Sequence, residues 1–361
     1  MVRTIITILD GITETSMPFN EFVLYRANHY SDEKQVLIVC GSKKNLPKVN
    51  LPDNLVIKYA GRKLINIRKT IKSTIYEIKK RNEPYVIHIH QVQSGFLSEM
   101  AMLGTGFRKK TLFTVHSTFS GYKFHNKFLS FVNALFAFRI TCVSNTSFQD
   151  YPKLIKRIKG NRILAIQNGV DIERIDEVSS VENIDAHNYV NFIYVARLIP
   201  LKNHRFLVDV LSHCNDSVHF TFVGAEDPEQ TIRKLAKELD VEDRITFTGL
   251  IPRNEVFEKL KGSDFYISAS TLEGLPVSVL EAMYCGLPCI LSDIPQHREV
   301  AGDQAVILPF DIEKWVSELN KLSTMLSEDK RVLSNSIKNY VTENFSLKSM
   351  HIRYDSIYEQ L

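Results

Sequence analysis

The feature that most limits the fold is an alternation of short β-rich runs with helix-length segments. Strand-like runs fall at about 2–9, 35–40, 55–59, 85–90, 111–115, 139–143 and 163–167. Between them lie stretches with helical apolar spacing, such as 64–81, 97–103, 127–136 and 147–158. A connection that contains a helix returns the chain to the same end of a sheet, so successive strands run parallel and helices cover both faces. The alternation then restarts, with strands at about 190–196, 218–223, 244–247, 265–268, 288–291 and 305–308 and helices at 204–212, 229–239, 253–260 and 277–285. Two doubly wound α/β domains are expected, linked by the polar stretch 179–188. The tail reads as helices over 312–326, 328–343 and 347–361. In the last of these, Leu347, Met350, Tyr354, Ile357 and Leu361 recur at helical spacing and form an apolar stripe that must dock on something.

A chain of 361 residues fits two such domains, each large enough to bury its own core. The net charge of +4 conceals an asymmetry. Residues 1–180 hold 27 Lys and Arg against 14 Asp and Glu, a surplus of 13, whereas the rest holds 18 against 27. Halves so different imply different electrostatic partners. Cys40, Cys142, Cys214, Cys285 and Cys289 are odd in number and sit mostly in apolar runs, the pattern of reduced core thiols, with no zinc-ligand spacing. The most apolar run, 129–138, is flanked by Lys127 and Arg139 and is about half the roughly 20 residues a spanning helix needs. The N-terminal run 5–9 meets Asp10 at once and is not built like a secretory leader. A cytoplasmic protein is expected.

Two constellations carry chemistry. Glu273 and Glu281 stand eight positions apart, on a path that leaves the strand 265–268, loops through 271–276 and enters a helix that Pro276 can begin. A helix N-terminus offers free N–H groups and partial positive charge to an anion, and a carboxylate beside it can accept two hydrogen bonds from a vicinal diol. The spacing alone also fits a helix N-terminal acid followed by an exposed helical glutamate. Arg197 and Lys202, five apart, follow the strand 190–196: a planar fork and a compact charge suited to phosphate oxygens, or two solvated loop cations.

Taken together, these segments resemble the donor-binding half of the retaining family 4 glycosyltransferases, enzymes of the two-Rossmann GT-B fold. The resemblance runs through Arg197 and Lys202, then Phe222-Val223-Gly224, Ile245-Thr246-Phe247-Thr248-Gly249, Glu273 to Glu281 and Glu281-Ala282-Met283-Tyr284-Cys285-Gly286-Leu287-Pro288. Val143-Ser144 and Gln167-Asn168-Gly169-Val170-Asp171 look like that family's domain-closing segments. The resemblance implies an acceptor-binding domain over 1–178, a nucleotide-sugar-binding domain over 189–343, and a C-terminal helix, 344–361, that returns to the first domain. It implies that Arg197 and Lys202 neutralise the donor diphosphate, that Glu281 holds the ribose hydroxyls and that Glu273 contacts the donor sugar. Backbone N–H groups near Gly274, Leu275 and Val277 would meet sugar or phosphate. Gly224 would permit close approach at the pocket wall, and Leu250 would lie at the base edge. His116, after the strand 111–115, matches the family's active-site histidine. His88 and His90 are expected on opposite strand faces, so that at most one of them, His90, reaches the ligand edge.

One departure concerns the loop after the first strand, where the family often has two glycines. Here a single Gly11 is followed by Thr15 and Ser16 as the available donors. No strand-flanked Asp-x-Asp is present, so the expected chemistry needs no metal and no cofactor beyond the nucleotide sugar. No Gly-x-Gly-x-x-Gly follows a strand, which argues against a nicotinamide dehydrogenase. The implied activity is transfer of a hexose or N-acetylhexosamine from a UDP-sugar to a saccharide, with a polyprenyl-diphosphate-linked acceptor of bacterial surface polysaccharide assembly preferred. The basic first half, densest at 61–81 and 153–162, suits an anionic membrane surface or such an acceptor. No nucleic-acid recognition motif accompanies it. A sugar-nucleotide epimerase or phosphorylase of the same fold, or a non-catalytic nucleotide-sugar-binding subunit, are the competing readings.

Overall fold

The computed structural model describes residues 2–11, 18–41, 51–179, 189–226, 229–325 and 327–361. It divides into two compact units, one of Met1–Gly169 with Leu347–Leu361 and one of Val170–Ser346. Each is a parallel sheet covered by helices.

In the first unit the strands are β1 (Arg3–Leu9), β2 (Glu33–Val39), β3 (Leu55–Tyr59), β4 (Tyr85–Ile89), β5 (Thr111–Val115), β6 (Arg139–Cys142) and β7 (Ile163–Ala165). They pair in the order β3-β2-β1-β4-β5-β6-β7. The helices are α1 (Pro18–His29), α2 (Leu64–Lys80), α3 (Val92–Ala101), α4 (Phe124–Phe136), α5 (Asn145–Asp150) and α6 (Lys153–Lys159). Strand residues alternate between two cores, as a period of two requires. Ile6 and Ile8 of β1 face one cluster with Ile67, Ile71 and Ile75 of α2, Ala134 of α4 and Ile155 of α6. Ile5 and Leu9 face another with Phe22 and Val23 of α1 and with Met350, Tyr354 and Ile357 of the C-terminal helix Leu347–Tyr358.

Two helices of the first unit differ most from the sequence expectation. The segment read as one helix over 147–158 is two, because Pro152 has no N–H to continue α5 and instead stands at the N-cap of α6. Helix α1 lay outside the expected set. Its buried side chains include Arg26, which is fully inaccessible, so the apolar stripe that marks a helix is interrupted by a charge that is inside. Arg26 donates to both oxygens of Glu33 (2.9 and 2.6 Å) and to Asp355 of the C-terminal helix (2.6 Å), and its guanidinium lies 4.1 Å from the Tyr30 ring centroid.

The second unit holds α7 (Ile172–Glu177), β8 (Val190–Val195), α8 (His204–Leu211), β9 (Val218–Val223), α9 (Thr231–Glu238), β10 (Ile245–Gly249) and α10 (Arg253–Lys261). It continues through β11 (Phe265–Ser268), α11 (Val277–Tyr284), β12 (Cys289–Ser292), α12 (Pro295–Ala301), β13 (Ala305–Leu308), α13 (Ile312–Leu322) and α14 (Ser327–Phe345). Its strand order is β10-β9-β8-β11-β12-β13. Phe192, Phe220, Phe222 and Phe265 fill the core, and Trp315 of α13 is fully buried with its indole N–H donated to Pro309 O at 2.7 Å. The expected strands of both halves are present, with ends shifted by two residues at most.

Both sheets reverse their strand order once, between β1 and β4 in the first and between β8 and β11 in the second. Loops leaving those neighbouring strands diverge to opposite faces and open a crevice at the carboxyl edge, where ligands of open α/β sheets bind.

Candidate active site

The crevice of the second unit is bounded by the loops after β8 and β11, which carry Arg197 to Lys202 and Ser270 to Val277. They are tied to each other, since the Thr271 N–H donates to Leu201 O at 2.9 Å. The Lys202 ammonium lies 2.5 Å from Glu273 Oε1, and the Ser270 hydroxyl donates to that same oxygen at 2.6 Å. Buried Tyr194, at the end of β8, stands 2.7 Å from the Ser270 hydroxyl and donates to Lys202 O at 3.0 Å. One Glu273 oxygen is thus held by an ammonium and a hydroxyl, while its side chain is still 12% exposed. Arg197 is exposed and makes no ion pair with another described residue.

Gly224 follows β9 with φ +152°. A Cβ there would come within 2.1 Å of Ala196 O, so this crossing of two backbones admits only glycine. The close approach lets the loops lace together: Ala196 N–H donates to Val223 O, Leu198 N–H to Ala225 O and Gly224 N–H to Gly249 O, at 2.9, 2.9 and 3.0 Å. Leu250, next after Gly249, is 61% exposed at the same edge.

The Glu273-to-Glu281 element departs from expectation in two details and overturns the alternative of an exposed Glu281. Pro276 is the N-cap of α11 and not its first residue. The Val277 N–H donates to Leu275 O at 2.9 Å, so it is engaged within the turn, and Leu275 itself is buried beside partly exposed Gly274. Glu281 is not an exposed helical glutamate: it is 2% accessible, with the Arg253 guanidinium against its carboxylate. A buried carboxylate needs such a partner.

Sequence reasoning missed Arg253, Tyr194, Ser270 and two buried histidines beneath them. His204 stacks on Tyr194 with ring centroids 4.6 Å apart, and burial, with Lys202 nearby, pushes it down to about 3. His297 lies between the Ser268 hydroxyl (3.3 Å) and Ser292 O (2.8 Å). The available signal was the hydroxyl-rich Ser268-Ala269-Ser270 leaving a strand beside a charged loop.

In the first unit His116 follows β5, and its Nε2 is 3.1 Å from Nδ1 of His90, which follows β4. Burial pushes His90 down to about 3, and burial and then the neighbouring His90 hold His116 well below the usual histidine range. Both rings are therefore neutral at physiological pH, one donating to the other. They line a small cavity with Phe22, Asn168, Gly169 and Met350. The expectation for His88 and His90 was wrong. Residues two apart share a strand face, and the rings lie 3.8 Å apart. His88 is fully buried, bridging the Tyr358 hydroxyl and the Thr114 hydroxyl at 2.7 Å each. Gly11 is partly exposed with open space around it, and Thr15 and Ser16 lie outside the described residues. Among the described residues no group of three or more His, Cys, Asp or Glu could hold a metal ion, and no helix is long and apolar enough to cross a membrane.

Comparison with known proteins places these sites in context. Residues 22–174 match the family model described as Glycosyltransferase Family 4, and residues 177–339 match that described as Glycosyl transferases group 1. The chain is 25% identical, over 78% of its length and 75% of the relative's, to an Escherichia coli UDP-Gal:alpha-D-GlcNAc-diphosphoundecaprenol alpha-1,3-galactosyltransferase. It is 28% identical, over 59% of each chain, to the capsular polysaccharide biosynthesis glycosyltransferase CapH of Staphylococcus aureus. Among solved structures, Anabaena HepE in complex with UDP and glucose superposes with a TM-score of 0.78 at 15% identity, covering 99% of this chain and 100% of that one.

Proposed function

From the premise that the chain belongs to the family 4 glycosyltransferases and has their GT-B fold, we propose that it moves a hexose or N-acetylhexosamine from a UDP-sugar to a lipid-linked saccharide, with retention at the anomeric carbon and without a metal. The observation that carries this reading is the Lys202–Glu273 pair at the strand reversal of the second sheet, with exposed Arg197 on the same loop as the lysine. In the reaction the bond from the sugar's anomeric carbon to the β-phosphate oxygen breaks, and the electron pair leaves with the diphosphate. The bond to the acceptor oxygen forms as that hydroxyl gives up its proton. The charge gathers on the departing phosphate, where the exposed Arg197 guanidinium and the Lys202 ammonium, the latter held by Glu273, stabilise it.

The remaining roles are proposed from the family pattern. Glu273, fixed by Lys202 and Ser270, receives the donor sugar's hydroxyls; Glu281, held by Arg253, receives the ribose diol; Gly224 forms the pocket wall; Leu250 sits at the base. His116, kept neutral and oriented by His90, works on the acceptor side. The named acceptor of the Escherichia coli relative, an undecaprenol-diphosphate sugar, and the UDP bound by the Anabaena protein support the choice of substrates. Such an acceptor places the enzyme at a membrane face.

The test is transfer from a panel of UDP-sugars to a short polyprenyl-diphosphate N-acetylhexosamine, with the linkage read by NMR. Lys202→Ala should lower kcat by about 100-fold or more, the scale for removing a preorganised charge stabiliser, in a protein that still melts cooperatively. Turnover near wild type in that variant would refute the assignment. An isomerised donor in the absence of acceptor would make the protein an epimerase instead.

A further inference from the structure

Tyr194 ends β8 beneath both loops of the second unit's crevice and is 1% exposed. Its ring is held from two sides: His204 stacks on it at 4.6 Å and Tyr266 meets it edge-on at 6.2 Å. The hydroxyl is therefore delivered to one place, where Lys202 O lies at 3.0 Å and the Ser270 hydroxyl at 2.7 Å. Ser270 is fully inaccessible, and the Ser292 hydroxyl ties its carbonyl separately at 2.5 Å. A buried tyrosine needs a partner for its hydroxyl, and the Lys202 carbonyl is enough to supply it. The second contact, to a serine that already serves Glu273, exceeds that need.

Proton counting gives these contacts a direction. Burial first, and then the Glu273 charge, raise Tyr194 well above the ordinary tyrosine range, so its hydroxyl keeps its proton. A carboxylate only accepts, so Ser270 gives its single proton to Glu273 Oε1 at 2.6 Å. The proton between the Tyr194 and Ser270 oxygens must then come from the tyrosine, shared with Lys202 O. With that proton directed at its oxygen, the Ser270 hydroxyl is turned toward Glu273. Lys202 donates to the same Glu273 oxygen at 2.5 Å. Both donors converge on Oε1, and Oε2 is left to a ligand.

We infer that Tyr194 is a positioning residue for donor recognition: through Ser270 it fixes how Glu273 meets the donor, and so sets how sharply the site separates UDP-sugars that differ at one hydroxyl. The inference deepens the proposed function and rests on that reading for the identity of the donor. A carboxylate held in place accepts from a hydroxyl in one direction and leaves its epimer unpaired, whereas a carboxylate free to swing accepts from either. Loss of the tyrosine hydroxyl would thus relax discrimination. The lysine loop keeps other ties, Lys202 N–H to Ile199 O and Thr271 N–H to Leu201 O, both at 2.9 Å, so the diphosphate side stays in place. A tyrosine that merely held the loops together would, when lost, slow every donor alike.

Tyr194→Phe keeps the ring and its stack on His204 and removes only the hydroxyl, and Ser270→Ala removes the next link. For each, and for the double variant, kcat/KM is measured with the best UDP-sugar of the panel and with its C4 epimer. Calorimetry gives the UDP affinity, and a cooperative urea transition by Trp315 fluorescence shows that the second unit is folded. The ratio of the two kcat/KM values should fall about tenfold or more in Tyr194→Phe, by a similar factor in Ser270→Ala and no further in the double variant, with UDP affinity unchanged. An unaltered ratio, equal slowing of both donors, losses that add in the double variant, or equal use of both epimers by the wild type would overturn the inference. Should the wild type transfer no sugar at all, the proposed function fails. The ratio of the two UDP-sugar affinities in the same calorimeter then decides the role of Tyr194 by the same criteria.

Discussion

Glu281 and Lys202 illustrate two kinds of charged residue, and they predict opposite outcomes for stability and activity. The Glu281 carboxylate is buried and its partner, Arg253, is 18% exposed. Removing one member of a buried pair leaves a charge that cannot be solvated, at a cost of about 3–5 kcal/mol, while replacing both members with apolar groups of similar size is close to neutral. Arg253→Met should therefore destabilise the second unit strongly in urea titrations. The double variant Arg253→Met/Glu281→Leu should recover most of that loss yet bind nucleoside diphosphate no better than the single. Recovery of binding together with stability would mean that Glu281 does not touch the nucleotide. Lys202 and Glu273 are partly solvated, and Lys202→Ala should move stability by no more than about 1 kcal/mol even as transfer fails. A comparable stability loss in both single variants would remove the distinction.

At the scale of elements, the donor site depends on how closely the loops after β8 and β9 approach. A methyl at Gly224 would fall 2.1 Å from Ala196 O, against backbone that has no rotamer with which to yield. Gly224→Ala is expected to cost at least about 1–3 kcal/mol and to weaken diphosphate binding, because Arg197 stands directly on the displaced segment; unaltered melting and unaltered UDP binding would show that the loops can part freely. The C-terminal helix has an equally local anchor. Arg26→Met strands Glu33 and Asp355 around a vacated guanidinium site and should lower the first unit's stability by about 3–5 kcal/mol, measured as faster hydrogen exchange in both α1 and the C-terminal helix. Unchanged exchange in the C-terminal helix would refute the anchoring role. These elements also show what a sequence does and does not disclose. Strands such as β5 and β9 were legible because their apolar runs have sharp ends, and the loops carrying Lys202 and Glu273 because each leaves such a strand. Helix α1 was illegible because Arg26 owes its burial to partners seven and over three hundred positions away. Arg253 was missed for the same reason, since its link to the site is a carboxylate on another helix.

For the whole molecule, the distribution of buried histidines makes the two units unequal toward acid. Burial holds His88, His116 and His351 well below the ordinary histidine value, and His90 is pushed down to about 3; all four belong to the first unit. His351 shows the cause in its geometry, for its Nδ1 lies 3.3 Å from Arg26 Nη1 and must accept from that guanidinium, which a protonated ring cannot do. Each group's folded pKa lies below its unfolded value, so above about 6.5 it is neutral in both states and the fold has its full stability. Below that the unfolded chain binds the proton first, and stability falls by about 1.4 kcal/mol per pH unit for each such histidine. Buried Glu99, pushed up to about 7, acts in the opposite direction between its unfolded value and there, and offsets about one histidine. The second unit has His204 in a comparable state and His297 lowered to a lesser degree. New protons on the first unit also join a region whose first 180 residues already carry a surplus of 13 positive charges. The single tryptophan, Trp315, reports on the second unit alone, whereas circular dichroism reports on both. Between pH 7.5 and 5.5 the urea midpoint seen by circular dichroism should fall further than the one seen by Trp315 fluorescence, and His351→Gln, which keeps an acceptor for Arg26 but cannot titrate, should reduce that fall. Midpoints that shift equally by both probes, or that rise on acidification, would show that these histidines are not held neutral by the fold.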